Sequence, residues 1–96
     1  MIKIVIKKDK ISITGHALYD DYGKDIVCAS VSSIVITTVN AILRIDAKAI
    51  DYNDKNGVII NILKHDDVVK NLIDNLIDLL EKLEKQYPKY IEIRRC

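Results

Sequence analysis

Asp25-Ile26-Val27-Cys28-Ala29-Ser30-Val31-Ser32-Ser33-Ile34-Val35-Ile36-Thr37-Thr38-Val39-Asn40-Ala41-Ile42-Leu43-Arg44-Ile45 is the stretch on which the fold turns. Its β-branched residues, among them Val31, Ile34, Val35, Ile36 and Val39, suit a strand by propensity. Its length does not, because strands seldom exceed ~10 residues. The stretch therefore reads as a helix over Ile26 to Ile45. Asp25 serves as its N-cap, since a carboxylate oxygen can take the unpaired N–H groups of a first turn. Apolar residues lie nearly all round this helix. That predicts burial against a sheet and leaves apolar surface for a second subunit.

On the N-terminal side, residues 2–7 alternate, with Ile2, Ile4 and Ile6 opposite Lys3, Val5 and Lys7. Period-2 alternation is the mark of a half-buried strand. Asp9-Lys10 reads as a tight turn, and residues 11–16 alternate again, so the pair is expected to form an antiparallel hairpin. Residues 18–24 form a polar loop carrying Tyr19 and Tyr22. On the C-terminal side, short apolar runs at 48–52 and 58–63 flank the turn Asn53-Asp54-Lys55-Asn56-Gly57. Asp66 or Asp67 then caps a second helix, in which Val69, Leu72, Ile73, Leu76, Leu79, Leu80 and Leu83 recur at three- and four-residue spacing. Pro88 ends it soon after Tyr87, and Tyr90 to Arg94 alternates as a last strand. The order ββαββαβ predicts an α+β fold: a mostly antiparallel sheet of about five strands with two helices packed on it. Residues 1–96 read as a single domain.

Composition narrows the function. With 49% hydrophobic residues but no Trp or Phe, branched aliphatics must fill the core. Fifteen basic residues stand against fourteen acidic ones, a net charge of +1. That balance gives no bias toward nucleic acid or a membrane. Lys3 and Lys7 break the N-terminal apolar run, so it does not read as a signal peptide. No uninterrupted apolar run approaches the ~20 residues of a membrane span. A cytoplasmic protein is expected. Under cytosolic redox conditions Cys28 and Cys96 would not form a structural disulfide. Without neighbouring His or Cys ligands they predict no metal site, and no cofactor is expected.

Two residues suggest chemistry. Behind an Asp25 cap, Cys28 is the third helical residue, among unpaired N–H groups at the positive end of the helix dipole. That setting favours thiolate, the nucleophilic form. His16 leaves the second strand twelve residues earlier, and a loop returning to the helix start can bring imidazole and thiol together. Neutral imidazole can take the thiol proton and later return one to a leaving amine. Each residue also has an ordinary reading. A lone Cys on an apolar helix is usually a small buried hydrophobe. A His at a strand end is usually a surface residue, Asp25 can be a plain cap, and Ser32 can bond back to its own helix.

Gly15-His16-Ala17, Asp25-Ile26-Val27-Cys28-Ala29 and Val31-Ser32, with Tyr87-Pro88 near the end, resemble the ribosomal-processing cysteine protease family, Prp. The likeness spans nearly the whole chain, and the two motifs at this spacing are fairly specific. It implies a small, often dimeric α+β cysteine endopeptidase. Members of the family remove a short N-terminal extension from the large-subunit ribosomal protein L-twenty-seven, cutting after an aromatic residue. By the same likeness Cys28 is the nucleophile, His16 the general base and acid, and Gly15, Asp25 and Ser32 are supporting residues. Backbone N–H groups at the helix start are the expected oxyanion donors. Asp25 can orient His16 or only cap the helix, and Ser32 can assist or only brace Cys28. Tyr19 and Tyr22 offer flat surface for a peptide from a candidate lid, loop 18–24. Leu18 departs from the family, which commonly has a small residue there, and Cys96 lies outside the pattern. A non-catalytic ribosome-associated binding module is the alternative, and a thiol redox sensor a third reading.

Overall fold

The computed structural model describes residues 1–20 and 25–96. Alternation builds its sheet. Ile2, Ile4 and Ile6 of β1 (Ile2–Ile6) are buried on one face, next to Ile11 and Ile13 of β2 (Lys10–Thr14). Ile50 of β3 (Ile50–Asn53), Ile60 and Ile62 of β4 (Val58–Ile62) and Ile91 of β5 (Ile91–Arg95) extend the same apolar face. The strand order is β3-β4-β2-β1-β5. Three of the pairings are antiparallel, and β1 pairs with β5 in parallel, Ile4 opposite Ile93. The observed order of elements is ββαββαβ, as expected. The strand ends differ from the sequence reading by one or two residues, which leaves His16 two residues beyond β2.

Helices α1 (Ile26–Ile45) and α2 (Asp67–Gln86) pack on the isoleucine face and against each other. Asp25 caps α1. Asp66, not Asp67, caps α2, accepting the Val69 N–H at 3.0 Å. Val27, Val31, Val35, Val39 and Ile42 form the buried stripe of α1. As one continuous helix, α1 is long and apolar enough to cross a membrane by length and composition. The sequence reading looked for an uninterrupted apolar run and found none of that length. Serine and threonine interrupt a run of letters but can sit on a helix without ending it. Here that stripe forms the core of a two-layer domain, opposite the isoleucines.

The second hairpin sets one local constraint. Gly57 has φ +77° and a Cβ there would meet the Ile13 carbonyl oxygen at 2.7 Å, so the β3–β4 turn requires glycine. Cys28 and Cys96 are free thiols.

Candidate active site

Where β2 ends, Gly15 turns the chain. Its φ is +84°, and an added Cβ would lie 2.3 Å from the Met1 carbonyl oxygen. A side chain is therefore excluded on two counts, backbone conformation and space. Its role is to bring the following residues across to the start of α1.

Beyond Gly15 the chain faces alternate. His16, Leu18 and Asp20 line an open pocket of about 530 Å³, while Ala17 is buried. Cys28, Ala29, Ser32 and the cap Asp25 supply the opposite wall. The fold thus brings His16, Cys28, Asp25 and Ser32 together around one space. Ser32 lies one helical turn past Cys28, with both on the pocket side of α1. Among the described residues, the His16 imidazole makes no hydrogen bond within the protein, which leaves both ring nitrogens available to substrate and thiol.

Asp25 is more than a cap. Its Oδ1 accepts the N–H groups of Val27 and Cys28, both at 3.0 Å, and its Oδ2 accepts the Tyr19 N–H at 3.0 Å. These bonds hold its carboxyl below the usual range. The Cys28 N–H contributes most, partial burial opposes it, and the Tyr19 N–H, the Cys28 thiol and the Val27 N–H add to the lowering. Bonded to backbone N–H groups on both sides, Asp25 fastens the loop to the helix. The sulfur accepts the Ala17 N–H at 3.3 Å.

Two expectations change. The N–H groups of Val27 and Cys28 are taken by the Asp25 side chain, and that of Ala29 by the Asp25 carbonyl at 3.1 Å. Those helix-start donors are not free to serve an oxyanion. Tyr19 is not a pocket wall either. Its ring stacks edge-on against Tyr87 and Tyr90, with centroids 5.7 and 5.1 Å away, so it anchors the loop to the segment after α2. Tyr22, the other tyrosine of the expected lid, lies outside the described residues. Asp20 and Ala29 were not singled out from sequence as pocket residues. Asp20 had a signal, since period-2 spacing from His16 points to 18 and 20. Among the described residues, no cluster of three metal-ligating side chains forms.

A thiol at a helix entrance and an imidazole on the adjoining loop, facing one pocket in a two-layer α+β domain, are the groups that a cysteine protease uses. The chain belongs to the family described as Cysteine protease Prp, whose model matches residues 1–92. A ribosomal processing cysteine protease Prp of Staphylococcus aureus is 31% identical over 91 residues, 91% of this chain and 86% of its own. The Mycoplasma pneumoniae protein of the same description is 49% identical over 35 residues, 36% of this chain and 35% of its own. The structure of the S. aureus protease with a covalently linked product peptide has a TM-score of 0.92 at 26% identity, covering 100% of both chains. The same protease with a substrate peptide has a TM-score of 0.85 at 25% identity, again over 100% of both chains.

Proposed function

We propose that this protease acts in the cytoplasm as a homodimer and removes the N-terminal extension of the ribosomal protein L-twenty-seven, with Cys28 as nucleophile and His16 as general base and acid. The observation that carries this reading is the shared pocket. Thiol and imidazole line it together, in a fold matching at TM-score 0.92 a protease that holds a covalently linked product peptide.

His16 takes the Cys28 proton as the sulfur attacks the scissile carbonyl carbon. The C–S bond forms, and the carbonyl π electrons move to oxygen. When the tetrahedral intermediate collapses, the C–N bond breaks and the His16 imidazolium gives its proton to the leaving amine. The extension remains as a thioester on Cys28. Water then attacks that carbonyl, His16 taking its proton and passing it to the departing sulfur, so acid and thiol are restored. The Ala17 N–H steadies the sulfur while it is anionic. Ser32, which lines the same pocket, donates its hydroxyl proton to the carbonyl oxygen. The dimer reading rests on α1, which leaves Ile26 51% and Ile36 58% exposed. An apolar face left open on a core helix is suited to a second copy.

The test is a peptide copying the extension, incubated with the wild type, Cys28→Ala and His16→Ala. Wild type cuts once, Cys28→Ala not at all, and His16→Ala is slower by about 10²–10⁴-fold. Binding by all three proteins without cleavage would instead establish the non-catalytic module.

A further inference from the structure

His16 reaches the pocket on the short stretch 15–19, and both ends of that stretch rest on one place in the fold. At one end Gly15 packs so closely on the Met1 carbonyl, just before β1, that it has no room for a Cβ. At the other, the Tyr19 ring meets the Tyr90 ring edge-on, with centroids 5.1 Å apart and planes at 77°. Tyr90 stands immediately before β5. Its carbonyl accepts the Ile2 N–H at 2.8 Å, and its own N–H donates to the Tyr87 carbonyl at 3.0 Å. The starts of β1 and β5 are joined there, and together they form the base on which the His16 loop stands.

The loop does not keep this shape by its own preference. Leu18 has φ +56°, in the left-handed region that non-glycine residues rarely enter. Its side chain is 78% exposed, so packing does little to offset that cost. The conformation is imposed from both sides. Ala17 is buried and its N–H is bonded to the Cys28 sulfur. Tyr19 is held by its N–H bond to Asp25 and by its ring. The Asp25 bond is exposed, where water competes for it, so the ring contact carries much of that hold. A strained link between two anchors relaxes when either is released. Relaxation at Leu18 turns the peptide planes beside it and shifts Ala17 and His16 against Cys28. A displacement of ~1 Å at such a site costs about 10²-fold in rate.

We propose that Tyr90 is a positioning residue for the cleavage reaction: its ring, acting through Tyr19, holds the loop that keeps His16 at the Cys28 pocket. This deepens the peptidase reading and rests on it. Tyr90 is not among the residues that line the pocket. Its effect therefore falls on the rate of the chemical step and leaves substrate binding alone. The ring is what the contact needs, and the hydroxyl is dispensable to it.

The experiment follows cleavage of the peptide copying the extension, with kcat referred to the folded fraction found by thermal melting. Tyr90→Leu should lower kcat by about tenfold or more and leave KM within about twofold of wild type. Tyr90→Phe, which keeps the ring, should stay within about twofold in both. Tyr90→Met replaces Tyr90→Leu if the latter does not fold. Tyr19→Leu should cause a loss like that of Tyr90→Leu. The double variant should be no slower than the slower single one, because the two rings act as a unit; independent effects would multiply to about a hundredfold. The inference is overturned if kcat is unchanged without the Tyr90 ring, if KM rises in place of a fall in kcat, if Tyr90→Phe is as slow as Tyr90→Leu, or if the two losses multiply. Failure of wild type to cut the peptide is a different result, removing the peptidase reading and this inference with it.

Discussion

Helices α1 and α2 are each 20 residues long, and each opens on an aspartate, but the two sequences are used differently. In α2 the apolar residues Val69, Ile73, Leu76 and Leu80 form one buried stripe. Charged residues such as Asp78 and Lys82, paired at 3.8 Å, take the solvent side. Its cap makes one side-chain bond, to the Val69 N–H. In α1 the stripe is equally apolar, but isoleucines also stand in solvent and the first turn carries no acidic residue. Its cap makes three backbone bonds, one of them to Tyr19 across the loop. One helix therefore serves as scaffold. The other carries the pocket-lining Cys28 thiol in its first turn and open apolar surface along its length, and a cap at its entrance ties down the loop that faces the thiol.

The largest effect expected from this contrast is at Leu76, fully buried in α2. Leu76→Ala removes its packing and leaves a cavity, at a cost of about 2–5 kcal/mol. The urea midpoint should fall accordingly, while kcat for the fraction that remains folded stays at the wild-type value. A large fall in kcat with the stability unchanged would mean that α2 takes part in the site, and the division between the helices would fail.

Much of this contrast was legible in the sequence. The length of 26–45 outweighed its β-branched composition, and aspartates before both helices marked their starts. Cys28 and His16 could be paired because a strand end and a helix start twelve residues apart are easily joined. What was not legible depended on residues distant in sequence. Tyr19 looked like a peptide platform because the rings it packs on, Tyr87 and Tyr90, arrive only once β5 pairs beside β1. The commitment of the helix-start N–H groups to Asp25 could not be read either, since a cap may engage one donor or several. Leu18 read as a bulky departure able to stiffen the loop or reshape the substrate groove, and nothing local showed its backbone conformation. Its positive φ comes from anchors on both sides, and neither anchor lies in its own local sequence.

The open surface of α1 gives the next test. Ile36 is 58% exposed on this helix, so Ile36→Lys should leave stability within about 0.5 kcal/mol of wild type. If a second copy covers that face, a buried lysine charge on each side must weaken association by about tenfold or more. Sedimentation velocity over a concentration series should show the mutant shifted toward monomer. A wild type that is monomeric throughout, or a mutant that dimerises equally well, would remove the homodimer from the proposed function and leave the exposed isoleucines unexplained.

The smallest effect separates the two caps. Asp66→Asn keeps an oxygen for its single Val69 bond and should change the melting temperature little. Asp25→Asn keeps an oxygen for Val27 and Cys28 but turns an amide group toward the Tyr19 N–H, donor against donor, so the loop tie is lost. The pH dependence follows from the lowered Asp25 pKa. Its stabilisation is fully present above about 3.8, the ordinary value for this carboxyl, and is lost as pH falls through the lower folded value. The melting temperature of Asp25→Asn should therefore lie below that of wild type at neutral pH, with the gap narrowing as acid protonates the native carboxyl. Asp66→Asn should show no such convergence of comparable size. Equal behaviour of the two variants across that range would mean that Asp25 is an ordinary cap, and that the loop carrying His16 and Leu18 is held by Gly15 and the tyrosine cluster alone.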